Sequence, residues 1–515
     1  MTLDAVAREL WANAFAGIAE EMGAVLIHSA VSPNIRERRD ASAAVFDAAG
    51  AMIAQAAHIP VHLGALAQAV AAVRAQDPRP GEVYILNDPY NGGSHLPDLT
   101  LVGVVRAEDQ IGGYSVVRAH HSDVGGATPG SMPAGARELF AEGIVLPPVP
   151  LSPEVERVLL ANVRTPEVRR ADLAAQRAAV ERGAEGLWSL AARHGWSGVW
   201  EAAEDLMGYS EKLVRERLKA YEKKRIEKGL GGTAYRAVDY LEGDGVTDAD
   251  ITIAVQVDLK DGLFHVDFTG TSPAVRGNVN CPIAVAESAV LFVVQVLVGT
   301  EVPMNAGVAR ATRVTAPAGC VVNAQWPSAV AAGNVETSQR IADTVFRALA
   351  LGGVAVPAQG QGTMNNITFG GTHPNWTYYE TIGGGQGASA AGPGPSGVHV
   401  GMSNTRNTPV EVLELECPLR LREYAMRRHS GGVGMHAGGN GVVREFELLA
   451  PADLSILSER RRHRPRGVGG GEDGAAGRNL LNGRELPAKT NVALQAGDIV
   501  RIETPGGGGF SREVP

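Results

Sequence analysis

The sequence predicts an α+β protein of several domains, with mixed sheets, a helical insertion and a C-terminal β-rich unit. Its 515 residues are more than one hydrophobic core of ordinary size accommodates. Helix-like and strand-like segments occur in blocks along the chain, a pattern that is typical of α+β proteins. Glycine is frequent, with 64 residues, and its aperiodic clusters indicate tight turns and close backbone approaches.

The first predicted unit comprises residues 1–151 and combines helices with strands. Apolar residues at helical spacing predict a helix from Leu3 to Ser32. Two short apolar segments around the turn at 47–50 predict a β-hairpin, and a second helix is expected over about 64–75. Short apolar runs predict further strands at 83–86, 99–105 and 114–121.

The second predicted unit is a helical insertion over residues 152–230. Charges alternate there with Leu, Val and Ala, which predicts two to four helices with breaks at Pro166 and Gly195.

The remaining chain is predicted to form two units. Residues 231–430 are expected to be a central α/β unit, in which the turn Asp261-Gly262 joins two strands of a hairpin. Helices are expected there at 284–297 and 337–351. Residues 431–515 alternate short strands with glycine turns and form the predicted C-terminal β-rich unit.

Composition argues against several functional classes. With 44% hydrophobic residues and no apolar run near the roughly 20 residues of a membrane helix, the chain is expected not to span a membrane. The N-terminal segment contains Glu9, Glu20 and Glu21 and lacks a secretory pattern, so a cytoplasmic location is predicted. A net charge of −9 argues against nucleic-acid binding, and the basic run at 460–466 is interpreted as a solvated loop or subunit contact.

The cysteine content limits the kind of metal site that the chain can form. There are 3 cysteines and no C-x-x-C pair, so a metal would use nitrogen and oxygen ligands. Candidate ligands of that kind are concentrated in the first quarter of the chain: Asp40, His58, His62, Asp88, His95, Asp98, His120, His121 and Asp123.

Two short motifs in this cluster suit a metal centre. His95 and Asp98 lie three residues apart after a Gly-Gly turn, where both side chains can face one point. His120 and His121 are adjacent on a predicted strand, so only one of them can face a given pocket. The other could pack, hydrogen-bond a carboxylate next to the ligands or act as an acid or base. Two imidazoles with one or two carboxylates suit zinc, manganese or iron.

Two polar, glycine-containing segments, 333–340 and 397–409, are equally compatible with tied-down loops and with substrate or subunit contacts. The sequence lacks a G-x-x-x-x-G-K-[ST] phosphate loop and a G-x-S-x-G elbow. If ATP is used, it is therefore expected to bind to another chain.

Several long segments resemble the hydantoinase B/5-oxoprolinase family, which is related to the large subunit of acetone carboxylase. The matching segments are 34–40, 57–64, 87–98, 118–133, 333–340, 379–387 and 403–411, with a glycine-rich C-terminus. They span nearly the whole chain.

The resemblance implies a set of site residues. It implies His95, Asp98 and His120 as metal ligands and adds Asp40 as a fourth. His121 and Asp123 are then expected to lie next to the ligands as candidate catalytic residues. The metal is expected to be zinc or manganese, or else iron.

The resemblance also implies a function and a partner. The chain would be the metal-containing subunit of an enzyme that opens hydantoins, 5-oxoproline or other lactams at the expense of ATP. An A-type subunit would bind ATP and magnesium, in a hetero-oligomer such as a heterotetramer. The metal is expected to activate water for attack on the ring carbonyl, and ATP to phosphorylate the resulting oxyanion.

Two alternatives stay open at this point. One is a subunit of an ATP-dependent ketone carboxylase, in which the same metal would act on an activated enolate. The other is a non-catalytic scaffold for the ATPase subunit, with a structural metal.

Overall fold

The computed structural model describes residues 3–57, 59–230 and 234–511. It confirms the mixture of helices and several sheets in a multi-domain chain with a long helical insertion. The helices are α1 (Ala5–Ser29), α2 (Pro33–Arg36), α3 (Ala65–Arg74), α4 (Pro153–Ala161), α5 (Pro166–Glu227), α6 (Ile283–Val298), α7 (Ala306–Arg310), α8 (Ser338–Leu351) and α9 (Val410–Glu416). One turn of π-helix, Gly333–Thr337, precedes α8.

The strands of the first two sheets lie in the first two thirds of the chain. They are β1 (Ala41–Asp47), β2 (Met52–Ala57), β3 (Val83–Leu86), β4 (Asp98–Ala107), β5 (Gln110–His120), β6 (Val149–Pro150), β7 (Tyr235–Glu242), β8 (Asp250–Lys260), β9 (Leu263–Asp267) and β10 (Thr312–Thr315).

The other two sheets are built from later strands. These are β11 (Asn366–Thr372), β12 (Asn375–Glu380), β13 (Leu419–Arg427), β14 (Gly441–Leu448), β15 (Ala452–Leu457), β16 (Arg478–Leu481), β17 (Arg484–Leu486), β18 (Lys489–Leu494) and β19 (Ile499–Glu503).

The first sheet is antiparallel, with strand order β2-β1-β5-β4-β3-β6, and is covered on both faces. Leu99 and Leu101 of β4 belong to the core formed with α1 and α5. Val102 and Val104 of the same strand belong to the core formed with α3. Because side chains alternate between the faces of a strand, burial on both sides explains why β4 is apolar almost throughout.

The helical insertion packs on two cores. Pro166 begins α5, and Gly195 interrupts it with φ 71° and ψ 157°, so both predicted breaks are found. Leu187 and Val199 of α5 lie in the core of the first sheet, whereas Val214 and Leu218 lie in the core of the second. The long helix therefore connects the first two sheets.

The second sheet has the order β10-β9-β8-β7 and shares a core with α6 and α8. Its β8 and β9 form the hairpin that was predicted at Asp261-Gly262, and both turn residues have positive φ, 54° and 73°. This conformation is that of the tight turns that the dipeptide favours.

Strand pairing crosses the predicted boundary between residues 430 and 431. The third sheet, β12-β11-β15-β18, and the fourth, β13-β14-β19-β16-β17, each combine strands from both sides of it. A local pattern predicts a strand but not its partner, so this long-range pairing could not be inferred from the sequence pattern.

The basic run at 460–466 is only partly solvated, so its interpretation as a solvated loop is wrong at Arg460. That side chain is fully buried and pairs with Asp239 at 3.1 Å and Asp343 at 2.6 Å. The two carboxylates compensate for the burial of the guanidinium. Arg462 at the surface pairs with Asp250 at 2.9 Å.

By length and composition, one described helix, α1, would be able to cross a membrane, with a mean hydropathy of 1.2 over its most apolar stretch. In the structure, α1 packs against α5 and buries Phe15, Met22 and Leu26 completely. The apolar residues of α1 therefore serve a protein core in this fold.

Substitution of Gly195 tests the break in α5. We expect Gly195→Ala to lower the free energy of unfolding by about 1–3 kcal/mol, because alanine is strained in this backbone region. Gly208→Ala is the matched control, since Gly208 lies in the same helix with open space around its Cα. The control should raise stability by about 0.5–1 kcal/mol. Chemical denaturation measures both, and equal effects would contradict the assignment of a break.

Candidate metal centre

The loop between β3 and β4 is held by polar contacts before it reaches the candidate ligands. The amide of Asn87 donates to the carbonyl of Leu96 at 2.8 Å, and its side-chain oxygen accepts from the Leu146 N–H at 2.7 Å. A Cβ on Gly93 would lie 2.4 Å from the carbonyl oxygen of Asn87, so only glycine fits there. The Gly-Gly turn therefore folds tightly back on the end of β3.

Strand pairing brings the next two candidates together. Asp98 is the first residue of β4 and His120 is the last residue of β5, and the two are direct partners in the antiparallel register. Directly opposed residues have their side chains on the same face of a sheet. His95 lies three residues before Asp98, at the end of the loop that joins β3 to β4.

The donor atoms of these three residues form a nearly equilateral triangle. The Nε2 atom of His95 lies 3.2 Å from Nδ1 of His120, and each lies 3.2 Å from Oδ1 of Asp98. All three residues are buried, with at most 2% exposure. Donors that share one zinc or manganese ion at bonds of about 2.0–2.2 Å lie roughly 2.8–3.6 Å apart. The triangle therefore fits one metal ion.

Neighbouring residues contact the polar atoms of Asp98 and His95 that do not belong to the triangle. Oδ2 of Asp98 accepts from the Ser94 hydroxyl at 2.6 Å and lies near Nε2 of His62 at 3.3 Å and the Asn334 amide nitrogen at 3.4 Å. Nδ1 of His95 lies 3.3 Å from the carbonyl oxygen of Ala331. Such contacts leave Oδ1 and Nε2 free for a metal and fix their direction.

An aromatic ring completes the surroundings of His120. The Tyr379 ring stacks on it with centroids 4.4 Å apart and an angle of 18°, and the Tyr379 hydroxyl donates to Asn366 at 2.8 Å. The guanidinium of Arg38 lies 4.9 Å from the same ring and donates to the Tyr379 carbonyl at 2.6 Å. Tyr379 is thus fixed on both sides.

The electrostatics favour a cation at the triangle. Burial acts to raise the pKa of Asp98, but the neighbouring His95, His62 and His120 hold it well below its usual value. Burial acts to lower the pKa of His95, but Asp98, the Ala331 carbonyl and Asp40 raise it above its usual value. Burial lowers the pKa of His120. An ionised Asp98 thus faces one imidazole that holds a proton readily and one that does not.

Asp40, the predicted fourth ligand, lies beside the triangle. Its backbone carbonyl accepts from the His120 N–H at 3.0 Å, and its charge acts to raise the pKa of both His95 and His120. Among the described residues, the group with donors within 4.8 Å of one another consists of His95, Asp98 and His120. The ligation of a metal by Asp40 stays a prediction.

His121 and Asp123 face away from the triangle. Nε2 of His121 lies 2.8 Å from the side-chain oxygen of Gln176 on α5, as the alternation along a strand predicts, and burial lowers the pKa of His121 to about 4. Asp123 accepts from the backbone of Gly125, Gly130 and Arg164 and from the Arg164 guanidinium. His121 thus contacts α5, Asp123 holds the loop after β5, and the catalytic role expected of both stays a prediction.

Two other residues of the sequence cluster, His62 and Asp88, can also be placed. His62 reaches Asp98, although it was not selected as a site residue. Asp88 caps a turn by accepting from the Tyr90 N–H at 3.0 Å. His58 lies outside the described residues.

A buried glutamate supports the backbone next to His95. The carboxylate of Glu142 accepts from the N–H groups of Val330, at 2.9 Å, and Ala331, at 2.8 Å. Burial raises the pKa of Glu142 to about 8, although these two hydrogen bonds oppose the shift. Because Ala331 also provides the carbonyl that faces His95, Glu142 positions a metal ligand through the backbone.

Contacts within the chain hold both polar segments of the sequence, as the interpretation as tied-down loops expects, and a substrate or subunit contact by them stays a prediction. Asn334 contacts Asp98, whereas Gln339 donates to the carbonyl of Val400 at 2.9 Å and holds that loop. His399 and Ser403, which lie 2.8 Å apart, line a separate cavity of about 620 Å³. The residues that line this cavity do not include the metal candidates.

Comparison with known proteins agrees with the resemblance noted in the sequence. The sequence profile of the family "Hydantoinase B/oxoprolinase" matches residues 4–513. The chain is 37% identical to 5-oxoprolinase 1 of Arabidopsis thaliana over 99% of its own length, but spans only 42% of that relative. It is 30% identical to the putative B-type subunit of a D-/L-hydantoinase from a Pseudomonas species, over 99% of this chain and 90% of the relative.

Two solved structures have the same fold. The ATP-dependent caprolactamase of Pseudomonas jessenii superposes with a TM-score of 0.89 and 26% identity, over 99% of this chain and 92% of that one. The nucleotide-free structure of acetone carboxylase gives a TM-score of 0.85 over 98% and 76% of the two chains. At 18% identity the second likeness concerns the fold alone.

The neighbouring histidines provide a matched pair for a test of the metal site. We expect His120→Ala to lower the affinity for zinc or manganese by more than about 100-fold, since contacts outside the ligand set alone account for about 10- to 100-fold. His121→Ala should retain the metal, because its side chain contacts α5 instead. Metal content by mass spectrometry after dialysis measures the difference. Equal retention in both variants would contradict the assignment.

Glu142 can be tested by comparing two substitutions. Glu142→Gln keeps a carbonyl oxygen that accepts from the Val330 and Ala331 N–H groups, so metal affinity should change by less than about threefold. Glu142→Ala removes the acceptor and should weaken metal binding by about 10-fold or more. Competition with a chelator gives both affinities. An alanine variant that binds metal as tightly as the wild type would exclude the positioning role.

Proposed function

The chain belongs to the hydantoinase B/oxoprolinase family, and from that premise we propose that it is the metal-binding subunit of an ATP-dependent cyclic amidase. The triangle of His95, Asp98 and His120 is the observation that carries this proposal. A set of two imidazoles and one carboxylate is typical of centres that act on carbonyl groups. The proposed substrates are hydantoins, 5-oxoproline and other lactams.

The donors of the triangle suit zinc, manganese or iron. A metal held there would supply a Lewis acid for the amide carbonyl and would lower the pKa of water bound to it. Three protein donors leave positions for other ligands, as catalytic sites require.

The chain's own residues prepare this chemistry. Ser94 and His62 hold Oδ2 of Asp98, so Oδ1 keeps its direction toward the two histidines. Ala331 holds the His95 ring through Nδ1. Burial of the three donors excludes bulk water, which strengthens electrostatic interactions with a reacting carbonyl group.

We further propose that an A-type subunit supplies ATP and magnesium. The chain lacks a phosphate-loop motif, and its Pseudomonas relative is named as one subunit of a hydantoinase. The Arabidopsis 5-oxoprolinase is more than twice as long as the region that matches, which leaves room for a fused partner in that protein. The assembly would be a hetero-oligomer such as a heterotetramer, and we place it in the cytoplasm, where ATP is present.

The comparisons favour ring opening over ketone carboxylation. The caprolactamase resembles this chain at 26% identity, whereas the likeness to acetone carboxylase, at 18%, concerns the fold alone. A non-catalytic scaffold would not need a ligand set with free positions. Ring opening is therefore the function that we propose.

Lactam-dependent ATP hydrolysis by the complex tests this function. We expect His95→Ala to lower kcat by more than about 100-fold, because a Lewis acid contributes several kcal/mol to such a reaction. His265→Ala is the control, since His265 lies on β9 in the second sheet and contacts Thr315. Product formation and ATP hydrolysis are measured with hydantoins, 5-oxoproline, larger lactams and ketones as substrates.

Assembly with the partner is checked by size-exclusion chromatography. If His95→Ala assembles and turns over normally, the chain is a scaffold. If only ketones with bicarbonate support turnover, the carboxylase alternative replaces the proposal.

A further inference from the structure

The cavity of about 620 Å³ that His399 and Ser403 line is bounded by α6, α8 and the loops that follow β12 and β15. We call it the Arg466 cavity. Its volume lies within the range that is usual for small-molecule sites. A ligand in it would contact other residues than the metal candidates.

Two arginines line this cavity, Arg347 on α8 and Arg466 at the end of the basic run. The half-buried guanidinium of Arg466 has no hydrogen bond or ion pair within the part of the chain that the structure describes. Arg347 donates from Nη1 to the carbonyl of Val238 at 2.5 Å. Burial and then the charge of Arg466 lower the pKa of Arg347, so the two guanidinium groups lie close enough to repel each other. An anion placed between them would relieve that repulsion.

The carboxylates around these arginines are already paired. Asp343, which also lines the cavity, accepts from Nη2 of Arg460 at 2.6 Å, and Asp239 pairs with the same guanidinium at 3.1 Å. Burial and the charge of Arg38 lower the pKa of His399 to about 3, so its imidazole is neutral at physiological pH. The titratable residues that line the cavity therefore carry a net positive charge.

The backbone of Arg466 is held in place although its side chain is free. The Arg466 N–H donates to the side-chain oxygen of Gln359 at 3.0 Å, and the Arg466 carbonyl accepts from the Gln359 N–H at 3.1 Å. The amide nitrogen of Gln359 in turn donates to Asp239 at 3.0 Å. A guanidinium on a fixed backbone loses less conformational freedom when it binds a ligand.

The opposite wall of the cavity is apolar. Phe292 and Val296 of α6 lie four residues apart, as do Phe346 and Ala350 of α8, so each pair shares one face of its helix. The rings of Phe292 and Phe346 meet edge to face with centroids 6.2 Å apart, and Val296 is 46% exposed. A flat ring or an alkyl chain would remove this apolar surface from water.

We propose that the Arg466 cavity binds a small organic anion, namely a ring compound that carries a carboxylate or a phosphate group. The anionic group would accept hydrogen bonds from Arg466 and Arg347, which suit either kind of oxyanion. The ring would pack against Phe292 and Phe346. This inference does not depend on the proposed function, because the cavity shares no lining residue with the candidate metal centre.

Pairs of ring compounds with and without the negative charge test the proposal. Calorimetry measures the binding of phenylacetate against phenylacetamide, and of adenosine monophosphate against adenosine, to the full chain. We expect at least one anion to bind about 10-fold more tightly than its neutral counterpart, as hydrogen bonds to a charged group imply. The pair that shows the preference identifies the ligand as a carboxylate or as a nucleotide. A wild-type protein that prefers neither anion overturns the proposal, whether or not any variant folds.

Substitutions assign the preference to the two arginines. Arg466→Gln and Arg347→Gln should each weaken binding of the anion about 10-fold and leave binding of the neutral ring unchanged. Arg464→Gln is the matched control, because Arg464 belongs to the same basic run, is exposed and does not line the cavity. Thermal unfolding checks that each variant is folded. Folded variants at both positions that bind the anion as tightly as the wild type overturn the proposal.

Inorganic phosphate tests the role of the apolar wall. It should bind at least about 10-fold more weakly than the preferred ring anion, because it has no surface to place against the two phenylalanines. Equally tight binding of phosphate would show that the cavity selects charge alone, and the assignment of a ring compound is then overturned.

The assembled complex distinguishes a ligand site from a subunit contact, which is one interpretation of the basic run. The same titrations are repeated with the A-type subunit bound. We expect the affinity for the anion to be unchanged in the complex. If the anion binds the free chain but not the complex, Arg466 contacts the partner and the proposal is overturned.

Discussion

The register between β4 and β5 is the constraint on which the candidate metal centre depends. It places Asp98 opposite His120, so that two ligands come from neighbouring strand ends. A shift of one residue would turn every side chain of the strand to the other face. Such a shift would move the side chains of β4 that pack against α1 and α5 to the face covered by α3, and those that pack against α3 to the face of α1 and α5. Packing of the sheet thus fixes the geometry of the site.

The same centre ties distant parts of the chain together. Asp98 and His120 belong to the first sheet, and Tyr379 belongs to the third sheet. Ala331 lies just before the single turn of π-helix at Gly333–Thr337, and Asn334 lies within it. A buried carboxylate is costly unless its oxygens are paired, and His120 and Asn334 provide part of that pairing for Asp98. Single turns of π-helix frequently occur at functional sites. The site therefore forms only when these distant parts of the chain have packed against one another.

Local rules predicted much of the fold but only part of the site. Alternation along a strand separated His120 from His121, and helical spacing located α1 within a few residues. Contacts across long sequence separations followed no local rule. Asn334 meets Asp98 across 236 residues, and burial of Arg460 depends on carboxylates from β7 and α8. The resemblance to a family supplied the ligand spacing, but no pattern indicated the contact of His62 with Asp98.

The number of donors bears on what the metal can do. With His95, Asp98 and His120 alone, a tetrahedral zinc would keep one position for water or substrate, as catalytic zinc does. If the Asp40 carboxylate turned inward, a tetrahedral zinc would have four protein donors and would be closed, which is typical of a structural site. A six-coordinate manganese would still keep two positions. With Asp40 as a fourth ligand, a catalytic ion would need a fifth position for water or substrate, which manganese would offer at once and zinc would offer only by expanding to five-coordinate.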